Sequence, residues 1–240
     1  MYRFRTVQNL IGDFQELEKQ QIYFAHPEQL NDPMEGMRRY YWQGDEIIWR
    51  NLLKHFILCL EHVVTLARLI DKDEKIKIED IPVFKSIDNL PTDLYKNRIK
   101  EIYNVFFANN FVQAYLKFII NNPYKIFQEE MYVHLRMLFR HAFNAIIEID
   151  IKDGFIKAPK EFEKKNKKDD EIDAFLTFWD ELSEKPNGKE LYEELLKVLH
   201  SAIENMDFQM TLGLKESVKM QSIYVEYTKM YLEAIKTLTY

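Results

Sequence analysis

The loop Leu30-Asn31-Asp32-Pro33-Met34-Glu35-Gly36 brings two carboxylates and an amide together with residues that stiffen a backbone. Asn31 or Asp32 can bond backbone groups two or three residues ahead, Pro33 fixes φ and Gly36 allows a left-handed exit, so Asp32 and Glu35 should point in defined directions. Arg3 and Arg5 alternate on a short strand pattern before the loop. A guanidinium fork donates two parallel hydrogen bonds, which suits a phosphate or pyrophosphate. Tyr40, Tyr41 and Trp42 add flat faces on which a ring can stack. Arg3, Arg5, Asn31, Asp32, Glu35 and Trp42 are therefore the candidate walls of a polar ligand pocket. The plainer alternative is a tight turn whose polar residues cap the segment that follows.

A second set, His55, Cys59 and His62, lies at i, i+4 and i+7 on one helix face, a spacing that can present three zinc ligands. A fourth ligand would have to come from elsewhere. The neighbouring Phe56-Ile57-Leu58-Cys59-Leu60 is the most apolar stretch of the chain, where cysteine behaves as a small hydrophobe. No metal is expected, and Cys59 as a nucleophile is disfavoured because a reactive thiolate needs an accessible, electropositive setting. His134, Arg136, Arg140 and His141 form a basic cluster on a helix also carrying Met131, Leu135, Leu138 and Phe139. Its plain reading is charged heads that reach solvent or partner carboxylates past a packed face. The lysines of 164–168 are followed at once by Asp169, Asp170 and Glu171, which cancel their field.

The elements that would carry these residues are mostly helical. Residues 1–44 read as a small α/β segment: strand patterns at Tyr2-Arg3-Phe4-Arg5 and Gln21-Ile22-Tyr23-Phe24-Ala25 enclose an amphipathic helix over 9–19. The stretch 47–70 places Ile48, Leu52, Phe56, Leu60, Val63 and Ala67 almost all round the wheel, as a buried helix does. A helix over 93–120, capped by Thr92, should stop at Asn121-Asn122-Pro123, because proline removes a backbone donor and disfavours helix just before it. Another apolar helix follows over 124–148. Residues 150–173 read as a charged connection dividing a helical lobe at 45–149 from C-terminal helices at 174–240, expected over about 172–183, 188–206 and 215–240. The fold class expected is mainly α, a helical array with a small N-terminal β-α-β element.

Composition agrees and excludes much else. Six glycines and seven prolines in 240 residues, with 47% hydrophobic and 30% charged, disfavour β-sandwiches, disordered chains and collagen-like repeats. Neither GxxxxGK[ST] nor GxGxxG occurs, so the commonest phosphate-cradling loops are missing. A net charge of −6 argues against nucleic acid or an anionic membrane as partner. The apolar stretch 56–70 is broken by Glu61, His62 and Arg68 and is too short for a membrane span. The lone Cys59 forms no intrachain disulfide and the opening MYRFRT lacks a signal-peptide pattern, so a cytoplasmic location is expected.

Tyr2-Arg3-Phe4-Arg5, Asn9-Leu10, Ile22-Tyr23-Phe24-Ala25-His26-Pro27 and Leu30-Asn31-Asp32-Pro33-Met34-Glu35 together resemble the opening of a bacterial family, domain-of-unknown-function family twenty-nine seventy-one. The stretches 44–49 and 54–63 look like a helical subgroup of it. Typical members continue with a pattern like MWxxY and then KGVCLxF, which this sequence does not contain. The last helical pattern also runs to Tyr240 without a capping glycine, a proline stop or a polar tail. The chain therefore reads as an N-terminal portion, its second half missing or replaced by helices. More loosely, the strand-helix-strand opening resembles the start of ADP-ribosyltransferase-like proteins. That resemblance implies Arg3 or Arg5 as the strand residue contacting a nicotinamide dinucleotide, residues 31–35 as the border of its pocket, NAD as a cofactor and a toxin or phage-defence setting.

Two functions follow. One is a non-catalytic helical interaction module, with a protein partner or self-association. The other is part of an NAD-using, ADP-ribosyltransferase-like effector whose catalytic carboxylate lies outside these 240 positions. The first is preferred, because most apolar residues lie in helices and no catalytic constellation is recognisable.

Overall fold

The computed structural model describes residues 41–157, 188–215 and 217–236. Helix α1 (Glu46–Leu69) starts where the Asp45 side chain accepts a hydrogen bond from the Ile48 amide at 3.1 Å. Two 3₁₀ turns, Ile78–Asp80 and Ile87–Asn89, carry the chain past Pro82. Helix α2 (Asp93–Ala108) begins under Thr92, whose hydroxyl accepts from the Tyr95 amide at 3.2 Å, as the sequence indicates.

The expected single helix over 93–120 is two. Asn109 leaves helical dihedrals (φ −69°, ψ 128°) and its Oδ1 caps the Val112 amide at 3.2 Å, starting α3 (Asn110–Asn121). Asparagine does this because its short side chain competes with the helix for backbone donors. The stop at Asn122-Pro123 forms as expected, with Asn122 Oδ1 accepting from the Tyr124 amide at 3.0 Å. Strand β1 (Tyr41–Trp42) pairs antiparallel with β2 (Ile126–Phe127), Tyr41 opposite Phe127.

Helix α4 (Gln128–Lys152) is the hub of the described fold, with α1, α2 and two later helices packed round it. It runs past its expected end at 148, so Asp150, read from sequence as the first residue of a solvated connection, is instead helical and wholly buried. Gly154, at φ +78°, supplies the left-handed residue that ends α4, the conformation in which glycine is least strained. After the undescribed stretch come α5 (Gly188–Gly213), a short α6 (Val218–Gln221), a π-helical segment at Ser222–Glu226, and α7 (Tyr227–Lys236). One core spans all of this. Tyr227 and Tyr231 of α7 pack on Phe56 of α1 with ring centroids 5.2 and 5.0 Å apart, and the Tyr227 hydroxyl donates to the Phe56 carbonyl at 2.7 Å. The helices before and after the expected connection thus share a single apolar interior rather than forming two lobes. Mainly α is the fold class, and among the described residues no helix is long and apolar enough to cross a membrane.

Candidate functional site

The densest polar cluster sits between α1, α2 and α4. Glu61 is only 1% exposed and Asp150 is fully buried. Arg98 of α2 reaches between them with all three guanidinium nitrogens: Nη1 donates to Glu61 at 2.6 Å, Nη2 to Asp150, and Nε to Asp153 at 3.1 Å. Arg68 donates to the other Asp150 oxygen. Glu61 also accepts from Thr65 at 3.0 Å and from the Tyr95 hydroxyl at 2.5 Å. Burial, and then the adjoining Glu61 charge, push the Tyr95 phenol upward, so it stays a donor at neutral pH. Gly154 turns the chain so that Phe155 lies over both guanidiniums, 5.8 Å from Arg68 and 5.5 Å from Arg98.

At the centre of this cluster both oxygens of each buried carboxylate accept hydrogen bonds, Glu61 from Arg98, Thr65 and Tyr95 and Asp150 from Arg98 and Arg68. A buried pair of this kind clamps the elements that supply it, and removing one partner leaves a buried charge uncompensated. Sequence reasoning treated Glu61 and Arg68 only as interruptions in an apolar stretch. Their seven-residue spacing was the available signal, since it sets opposite charges on one face of α1.

His55, Cys59 and His62 do share a face of α1, but each is engaged. Val83 O accepts from His55 Nε2 at 2.9 Å, so that nitrogen carries the hydrogen and Nδ1 accepts from the Tyr231 hydroxyl at 2.8 Å. Burial pulls the His55 pKa down. Burial also pushes the Cys59 thiol up to about 12 against the opposing charge of Lys85, and Sγ lies 3.8 Å from both His55 Nε2 and Pro82 O. At His62 Nδ1 the Lys85 ammonium stands 3.2 Å away, in the place a cation would take, and burial with Lys85 lowers the His62 pKa. Among the described residues no three His, Cys, Asp or Glu are grouped to hold a metal ion.

Two members of the basic cluster on α4, His134 and Arg136, turn inward. Arg136 is buried and donates to Asp207 of α5 through Nη2 at 2.5 Å, and the Tyr132 hydroxyl donates to the same carboxylate at 3.2 Å. His134 lies between the Tyr115 and Tyr192 hydroxyls, 3.0 Å from each, and burial takes its pKa down to about 3. His141 stacks on Phe111 with centroids 4.6 Å apart, and Arg140 is exposed. Trp42 is half-buried against the core, while Tyr41 carries Lys125 over its ring at 4.2 Å. Arg3, Arg5, Asn31, Asp32 and Glu35 lie outside the described residues.

Apolar side chains also lie at the surface. Val198, Met206, Phe208 and Leu212 of α5 are exposed, although that helix buries Tyr192, Leu196 and Ile203 against the hub. Comparison with family models, curated proteins and solved structures finds no match for this chain.

Proposed function

We propose that the chain is a non-catalytic helical interaction module. The observation that carries this reading is the contrast on α5: four large apolar side chains face outward on one helix, while the titratable groups inside the bundle are bound to one another. Contiguous exposed apolar surface marks places that proteins use for contact, and α5 carries four of the exposed large apolar side chains. A reactive thiolate needs a lowered thiol pKa, and Cys59 shows the opposite.

Lysine-directed crosslinking of the full chain in the cells that make it tests the reading, since Lys189 and Lys197 lie on α5 and are exposed. Crosslinks from these lysines to another polypeptide or to a second copy are expected. Crosslinks confined within one chain, together with calorimetric NAD binding that Arg5→Ala abolishes, would replace the module with a dinucleotide-using protein.

A further inference from the structure

His134 of α4 is buried and ties two other helices together. Its Nδ1 meets the Tyr115 hydroxyl of α3 and its Nε2 the Tyr192 hydroxyl of α5, and the Phe118 ring closes over it with centroids 5.8 Å apart. A neutral imidazole has one N–H and one lone pair, so one phenol accepts from it and the other donates to it. An imidazolium has two N–H groups and no lone pair. The phenol that donated must then turn its hydrogen away, and a full charge stands in an apolar interior. Burial pushes both phenols upward, so neither supplies a compensating negative charge, and among the described residues no carboxylate is bonded to the imidazole.

The two helices that hold this imidazole are themselves held unequally. Helix α3 buries six of its twelve residues, whereas over 188–200 α5 buries only Tyr192 and Leu196. So short a stretch is marginal as a helix in water once its packing is lost. The other half of α5 has its own anchor, because Asp207 accepts from Arg136 at 2.5 Å and from the Tyr132 hydroxyl at 3.2 Å.

We infer that the N-terminal half of α5 is an acid-released arm: a proton on His134 unseats Tyr192, and residues 188–200 unwind from α4 while Asp207 keeps the rest of the helix in place. The device goes beyond the interaction-module reading and holds with or without a partner on α5. In the closed arm burial keeps the His134 pKa near 3, and in the unwound arm the imidazole returns toward the ordinary 6.5, so acid favours the open form between those values. Glu130 of α4, beside Tyr192 and facing Lys189 and Glu193 of α5, responds with the opposite sign. Burial holds its carboxyl above the usual range, so acid removes a buried charge there and favours the closed arm. His200 of α5 stands 3.3 Å from Glu204 of its own helix and serves as the control.

Hydrogen exchange of the full chain between pH 7.5 and 5.5, where ordinary carboxylates stay largely charged, reads the arm directly. Protection is taken relative to an unstructured chain at each pH, which removes the intrinsic pH dependence of exchange. Amides of 192–200 should lose about tenfold in protection over that range, with little dependence on low urea, because a local opening exposes little surface. Amides of 56–64 in α1 should be better protected and fall steeply with urea, since they open only with the whole molecule. His134→Gln keeps one donor and one acceptor but takes up no proton, so it should abolish the loss, and His200→Gln should preserve it.

Protection of 192–200 that follows α1 in both pH and urea overturns the arm, because α5 would then leave only on global unfolding. Local opening that does not change with pH, or a loss that persists in folded His134→Gln, overturns His134 as the trigger. Should His134→Gln fail to fold, the pH and urea dependence of the wild type still decides between these outcomes.

Discussion

Protonating His134 would place a charge between two phenols in a fully buried setting, which is why its pKa falls to about 3 from the ordinary 6.5. The consequence for stability has a definite sign. Above about pH 6.5 the group is neutral in folded and unfolded chains alike; as pH falls toward about 3 only the unfolded chain takes up the proton, and stability drops by up to about 1.4 kcal/mol per pH unit. Urea unfolding at pH 7 and at pH 5 should therefore show a lower midpoint at pH 5, and His134→Gln, which stays neutral, should reduce that difference. An undiminished difference in the variant would assign the acid sensitivity to other groups. Cys59 gives a second residue-scale expectation. With its thiol buried and pushed up to about 12, it should fail to react with a thiol reagent in the native protein and react fully once the chain is unfolded. Prompt native labelling would show that α1 opens readily.

At the scale of elements, the cluster joining α1, α2 and α4 makes Arg98 the residue whose loss costs most. Truncating one partner of a buried pair costs about 3–5 kcal/mol, so Arg98→Ala should lower the unfolding midpoint sharply, whereas Lys152→Ala, which ends an exposed pair with Glu101, should change it by less than about 1 kcal/mol. Similar losses for both would show that Arg98 is not clamped as described. Gly154→Ala meets no atom within 4 Å, so its cost is conformational alone, about 1–2 kcal/mol for a left-handed alanine. The sequence made α1, the Thr92 cap and the Asn122-Pro123 stop legible, because caps and prolines act locally. The break at Asn109 was not, since an asparagine inside an apolar helical pattern reads equally well as a tolerated surface residue. The pairing of Arg98 with Glu61 and Asp150 was not legible either: it joins positions 37 and 52 residues apart, and a charge in an apolar run says that a partner exists without saying where. The π-helical turn at Ser222–Glu226 left no mark in the sequence beyond the stripe of Ile223, Tyr227 and Tyr231 that it keeps in the core.

For the molecule as a whole, the shared interior of α1, α4, α5 and α7 predicts one unfolding event. Phe56→Ala in α1 and Tyr231→Ala in α7 should each lower a single transition by about 3–5 kcal/mol, read equally by tyrosine fluorescence and far-ultraviolet circular dichroism. Two separated transitions would restore the two-lobe organisation expected from the charged stretch. The mutual satisfaction of the buried polar groups also explains why the sequence yielded types without roles: His, Cys, Glu and Arg are all present, and each takes its meaning from a partner far along the chain.

The bond from Tyr227 to the Phe56 carbonyl closes the interior with residues 171 positions apart in the chain. On a ribosome adding about 5–20 residues per second, α1 would emerge roughly 10–30 s before α7 exists to cover it. Through that interval Phe56 lacks the cover that Tyr227 and Tyr231 give it. The nascent chain is thus a natural client for a holding chaperone until α7 is released.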